Sequence, residues 1–264
     1  MVIIRSENTS SSKACPSALP CWPLCCEIGK MRLLVASLLG LIILTACSTP
    51  TPAATPQIIT VHYTFSTRPL LADLYSCAAN LPGIILQAEE RHASFLDPMS
   101  ADLILRLGAP PRLDTPAYAL GTDELILITN PSNPVASLTD DQAASLFRGR
   151  IRNWSEVGGA DMPVEVWAYA KGEDLQQALQ AALLDNAPST PLAHIAFTPE
   201  EMAAGVTSHP GAIGFLPRGL LSGSVRPVTL EGRTASLLPT LAIVREEPQG
   251  SLRALLACMQ EKVR

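Results

Sequence analysis

The chain has 264 residues and a formal net charge of −5, with 47% hydrophobic and 16% charged residues. That length supports one large or two modest domains with cores of their own. The mild acidic balance gives no electrostatic reason to expect nucleic acid as a partner. Twenty-three prolines against 5% aromatic residues argue against a long helical bundle and for short elements joined by many turns.

Residues 1–30 carry Cys15, Cys21, Cys25 and Cys26 without a periodic apolar pattern. They read as an upstream extension, with Met31 as the working start. The cysteines lack the paired C-x-x-C arrangement of a metal site. Met31-Arg32 is followed by "LLVASLLGLIILTAC", an apolar run ending at Cys47. The run is short for a bilayer-crossing helix and typical of a signal peptide; a buried helix or a transmembrane anchor is the alternative. Leu44 to Cys47, "LTAC", resembles the lipobox of bacterial lipoproteins. The resemblance implies a signal peptide over 31–46 and an acylated Cys47. It also implies anchoring on the extracytoplasmic face of the cell membrane. Residues 47–57 are small and proline-rich, cannot bury a core, and form a tether. The folded part is expected from about Ile58. Outside the cytoplasm its cysteines, Cys77 and Cys258, either form a disulfide or remain separate buried thiols. A bond closing so long a loop would restrict the unfolded chain by at most about 5 kcal/mol.

"IITVHYTF" (Ile58 to Phe65) alternates and is a predicted strand. The next segment, "STRPLLADLYSCAANL", is a predicted helix with Ser66 and Thr67 as capping candidates and Leu70, Leu71, Leu74 and Cys77 on one face. Strands are expected at Ala101 to Gly108 and at Asp123 to Asn130, the second nearly all apolar and hence central. "SLTDDQAASLF" is a helix with a capping box from Thr139 to Gln142, stopped by Gly149. Strand Pro163 to Ala170 and helix Gly172 to Leu184 follow, then a short helix from Pro199 and a strand from Ala212 to Leu216. "SVRPVTLEG" and "LPTLAIVR" are further strands, and "GSLRALLACMQEKV" is a closing helix. Strands alternate with helices throughout, so the fold class is α/β.

The order from Asn130 to Gly159, "NPSNPVASLT…LFRGRIRNWSEVGG", resembles the phosphate-binding proteins of ABC importers (PstS-like), within the type 2 periplasmic binding protein superfamily. "GAIGFLP" at Gly211 to Pro217 is similar to that family's "GAIGY" strand. The resemblance implies a two-lobed α/β fold with a cleft between lobes and two crossover segments. Residues 58–125 and 238–264 would form lobe 1, and residues 126–237 lobe 2. It would also bring Cys77 and Cys258 into one lobe, which favours their pairing. The corner itself is read as structural: Trp154 packs under the turn, Asn153 caps it, and Gly158-Gly159 allow its backbone angles. An anion site made by Arg148, Arg150 and Arg152 is the lesser reading, because such runs usually form a solvated face.

In this family a small anion is gripped by hydroxyls and helix N-termini. "TFSTRPL" matches the first ligand loop, which implies contacts from Thr64, Phe65 (through its N–H), Ser66 and Thr67, with Arg68 as a charge partner. Ser66 and Thr67 as mere helix caps are the equal alternative. The third family loop, "S-G-T", is replaced here by "KGED": Lys171, Gly172, Glu173 and Asp174. Lys171 and Gly172 remain ligand candidates. The two carboxylates suit a helix's first turn but oppose phosphate, by about 4 kcal/mol per charge pair at about 4 Å and an effective dielectric of about 20. The second loop, "LGAPP" (Leu107 to Pro111), has no hydroxyl, and the segment from Asn80 to Ala101 is abbreviated.

No hydrolase, nucleotide-binding or metalloprotease motif occurs. His62, His92, His194 and His209 lack metal-ligand spacing, and the pairs Glu89-Glu90 and Glu200-Glu201 read as helix surface. The chain is therefore expected to be a non-enzyme without a cofactor or metal. Two functions stand, the first as the main reading and the second as its alternative. One is a lipid-anchored receptor that closes on a small, anionic ligand and hands it to an ABC permease. The other is a sensor or interaction lipoprotein that keeps the fold without the phosphate site.

Overall fold

A computed structural model describes residues 56–232 and 237–262; the proposed signal peptide, Cys47 and most of the tether lie outside them. The β-rich segment after the tether forms β1 (Gln57–Tyr63). It is followed not by a capped helix but by a 3₁₀ turn, Phe65–Leu70, which leads into α1 (Leu71–Ala79). Neither Ser66 nor Thr67 caps α1, whose N-cap is Leu70 and makes no side-chain bond. Pro69 lies inside the turn, which leaves both hydroxyls free to face elsewhere.

Residues 80–101 hold a strand that the sequence pattern left unassigned, β2 (Ile84–Glu90), pairing in parallel with β1. Glu89 and Glu90 thus lie on an edge strand, not on a helix surface. Ile84, Leu86 and Ala88 pack inward, so the alternation existed but was diluted by Gln87 and the two glutamates. β3 (Leu103–Leu107) pairs with β1, and β4 runs over Ala117–Thr129. After a short β5 (Ser137–Leu138), α2 (Asp140–Phe147) begins with the expected capping box from Thr139 to Gln142. Then come β6 (Glu165–Tyr169), α3 (Asp174–Leu183), β7 (His194–Ala196), α4 (Pro199–Ser208) and β8 (Ala212–Pro217). β9 (Arg226–Leu230), β10 (Leu237–Ile243) and α5 (Gly250–Lys262) close the chain.

The main strand order is β2-β1-β3-β10-β4-β8-β6-β7. β4 belongs to both ends of it. Its first part, Ala117 to Glu124, pairs antiparallel with β10; its second, Leu125 to Thr129, pairs with β8. Two lobes follow. In the first, α1 and α5 cover one face of the sheet around Ile59, Leu74, Leu105, Leu255 and Met259. In the second, a larger core gathers Leu146, Phe147, Trp154, Leu179, Val206 and Phe215.

The Asn-Trp corner is built into that second core. Trp154 is fully buried and its Nε1–H donates to the Gly211 carbonyl at 2.9 Å, tying the corner to the start of β8. Asn153 and Glu156 close a capping box around the 3₁₀ turn Trp154–Val157. A Cβ at Gly159 would come within 2.9 Å of the Trp154 Cβ, so the second glycine is needed for close approach.

Cys77 on α1 and Cys258 on α5 are joined, with Cα atoms 5.8 Å apart and a sequence separation of 181. The bond clamps the two helices that cover the first lobe. Replacing both cysteines by alanine is expected to cost about 2–5 kcal/mol, read as a lower midpoint in chemical denaturation. An unchanged midpoint would mean that helix packing alone holds this face.

Candidate functional site

Three strand ends converge between the lobes. β1 hands over to Thr64–Thr67, β3 ends at Leu107, and β6 leads through Lys171 and Gly172 into α3. In open α/β sheets the crevice beyond the carboxyl ends of strands is where ligands collect. Here its donors already have an acceptor. The Thr64 hydroxyl donates to Asp174 Oδ2 at 2.5 Å, and the Ser66 hydroxyl donates to the same oxygen at 2.6 Å. The Leu107 N–H adds a third bond to it at 3.1 Å. The other carboxylate oxygen accepts from Leu175 N at 2.8 Å. Asp174 is 1% exposed and Thr64 fully buried. A carboxylate is acceptor-only, so four donors on two oxygens satisfy it without a cation. Its place in the first turn of α3 adds the favourable end of the helix dipole.

The other sequence candidates surround this centre. The Thr67 hydroxyl turns back to the carbonyls of Thr64 and Leu105. Phe65 packs its ring on Tyr169, with centroids 5.1 Å apart. Arg68 lies at the edge, bonded to Glu90 at 2.5 and 2.8 Å and reaching Glu200 of the second lobe at 3.4 Å. Lys171 is exposed on the turn. Gly172, at φ +92°, lies so close to the first lobe that a Cβ would collide with Ser94 Oγ. Asp174 itself was legible only as a residue unfriendly to phosphate; that it faces the hydroxyl loop is a tertiary fact.

Further contacts bridge the lobes beside it. Glu173 is buried, with Oε1 3.2 Å from His92 Nε2 and Oε2 accepting from Ala93 N at 3.3 Å. Burial pushes its pKa up to about 7, against the pull of the Ala93 N–H and with help from the nearby charges of Asp174 and Glu90. Arg106 donates from Nε to the Gly108 carbonyl and from Nη2 to Gln177 Oε1 on α3. Burial pushes the Tyr169 hydroxyl well above its ordinary value, with Asp174 and Glu200 adding to the effect. A cavity of about 560 Å³ opens next to Asp174, lined by Gly108, Pro111, Ala178 and Leu238 among others. Among the described residues, no group of three or more His, Cys, Asp or Glu is placed to hold a metal. No described helix is long and apolar enough to cross a membrane.

Comparison with known proteins bears on the fold. Residues 117–222 match the model of a PBP superfamily domain. A 42-residue stretch is 38% identical to the phosphate-binding protein PstS of Borreliella burgdorferi; it covers 16% of this chain and 15% of that relative. Among solved structures, an ABC-type phosphate transport receptor from Vibrio cholerae superposes with a TM-score of 0.65 at 19% identity, over 77% of this chain and 93% of that one. The CcmR regulatory domain of Synechocystis PCC6803, solved in complex with 2-PG, superposes with a TM-score of 0.61 at 11% identity, over 79% and 98%. The same fold thus occurs in transport receptors and in regulatory domains. The chain has the mixed α/β fold of the type 2 periplasmic binding proteins, a binding-protein fold with PstS proteins among its structural neighbours.

Proposed function

We propose that this protein is a lipid-anchored extracytoplasmic module that keeps the two-lobed binding fold for sensing or interaction, its inter-lobe anion site filled by its own Asp174. The observation that carries this reading is the carboxylate bonded to Thr64, Ser66 and Leu107 N across the cleft. Asp174 does there what a bound oxyanion would do: it gathers the donors of one lobe while belonging to the other. A phosphate entering beside it would meet a fixed negative charge, at a cost of about 4 kcal/mol for each unit charge pair about 4 Å apart. The anchor at Cys47 and the extracytoplasmic location rest on the lipobox-like "LTAC". The second reading, a receptor serving an ABC permease, draws on the intact Thr64 and Ser66 donors and on the phosphate receptors among the structural neighbours. It requires Asp174 to leave.

The two readings separate in thermal unfolding. The wild-type protein is expected to show no shift with millimolar phosphate or sulfate. Asp174→Gly removes the acceptor shared by the Thr64 and Ser66 hydroxyls and the Leu107 N–H and should lose about 2–4 kcal/mol. Phosphate should then restore part of that loss by several degrees. A phosphate shift of that size in the wild type would overturn the proposal and establish the receptor.

Closure also carries a pH signature. Because Glu173 binds its proton more tightly folded than unfolded, its contribution is fully present below its ordinary 4.5 and is lost as pH rises through about 7. His92, Asp174, Glu90 and Arg106 all face this carboxyl. Glu173→Gln is expected to flatten the decline of melting temperature between those values. An identical slope in the variant would place the pH dependence elsewhere.

A further inference from the structure

Among the described residues, neither α1 nor α5 covers the second sheet face of the first lobe. α1 and α5 pack on the side of Leu103 and Leu105. On the opposite side Ile104, Leu241 and Ile243 form a small cluster with Ala101. Above it the loops around Pro98 and Leu113 leave a cavity of about 300 Å³, within the range that holds small ligands.

Arg106 projects from β3 on that same face and lines the cavity. It is 4% exposed. A buried guanidinium ordinarily has a carboxylate partner, since a charge taken from water without one is costly. Among the described residues Arg106 makes no such pair. Its bonds go to the Gly108 carbonyl and to Gln177 Oε1, both neutral. Asp174 and Glu173 act on it only at longer range, and Asp174 is already held by its own four donors. The rest of the lining is mostly apolar, with Leu96, Met99, Ile104 and Ile243. Arg112, Asp97 and Asp114 stand at the exposed rim, where Asp97 Oδ1 already accepts from Met99 N. Arg106 is thus the buried charge of the lining, Asp97, Arg112 and Asp114 are its exposed charges, and the remaining lining is mostly apolar.

We infer that this cavity is a ligand site for a small monocarboxylate with an apolar body, its carboxylate on Arg106 and its tail against Leu96, Met99 and Leu113. The site is separate from the Thr64–Asp174 cluster and does not depend on whether that cluster ever admits an anion. The rim aspartates select against ions of higher negative charge, and the apolar wall selects against inorganic anions.

Octanoate, 1-octanol and phosphate serve as probes of the purified protein, followed by methyl NMR. Saturable shifts at Ile104, Ile243 and Met99 are expected with octanoate and not with phosphate. 1-Octanol, with the same tail and no charge, should bind about 30-fold more weakly or worse, and Arg106→Met should weaken octanoate by a similar factor. No saturable shift with octanoate, or equal binding of the alcohol and the acid, would overturn the inference. Should Arg106→Met fail to fold, the wild-type comparison of acid and alcohol still decides it. Phosphate shifts at Leu105 and Leu175 would speak instead against the self-filled cleft and leave this site standing.

Discussion

The donors that face one another across the two lobes converge on one carboxylate. Asp174 leaves the second lobe at the start of α3 and ends among the hydroxyls and the N–H group of the first, with almost no exposure to water. Those donors lie in a crevice where unmet hydrogen bonds would be expensive. A binding protein normally leaves such a crevice to its ligand, and closure is then conditional. Here the acceptor is covalently part of the chain, so that its binding is intramolecular and draws on no free anion. In this structure the donors of one lobe are met by an acceptor of the other, with no ligand between them.

The neighbouring contacts reinforce that state and share its logic. Gly172 lets the turn before α3 press against Ser94, and Glu173 follows with His92 and the Ala93 N–H. Arg68 and Glu200 link the lobes at the rim, where solvent screening makes an ion pair worth little. The interior bonds therefore dominate. Behind them, β4 passes through both lobes as one strand, and the Trp154 corner holds β8 in place beside it. The interface is thus set by rigid elements, which is why a single side chain can be aimed so closely.

Arg106 belongs to the same interface and shows what a missing layer does to a sheet. With α1 and α5 on one face, the strand alternation that puts Leu103, Leu105 and Leu107 into core turns Ile104 to the other face and Arg106 toward Gln177 of α3. The guanidinium is covered without a carboxylate in hydrogen-bond contact among the described residues, though Asp174 and Glu173 act on it from farther away. Its hydrogen bonds to Gly108 and Gln177 hold it in position beside the cavity that it lines.

Sequence by itself determined what local spacing can determine. The alternation of Ile58 to Phe65, the Thr139–Gln142 capping box, and the asparagine, tryptophan and glycines of the corner each act within a few residues, so their patterns survive in one dimension. The family likeness of Asn130 to Gly159 rests on the same local chemistry. β2 and β7 were not legible, because an edge strand half exposed to water, and a strand of three residues, carry little hydrophobic signal. The hydroxyls of Thr64 and Ser66 could be recognised as a donor cluster, but their acceptor lies 110 and 108 residues away. Only the tertiary structure decided that "KGED" supplies this acceptor and that Arg106 is buried with neutral hydrogen-bond partners among the described residues. Both follow from how two lobes meet, and no property of a short segment encodes the distance between surfaces brought together by a shared strand.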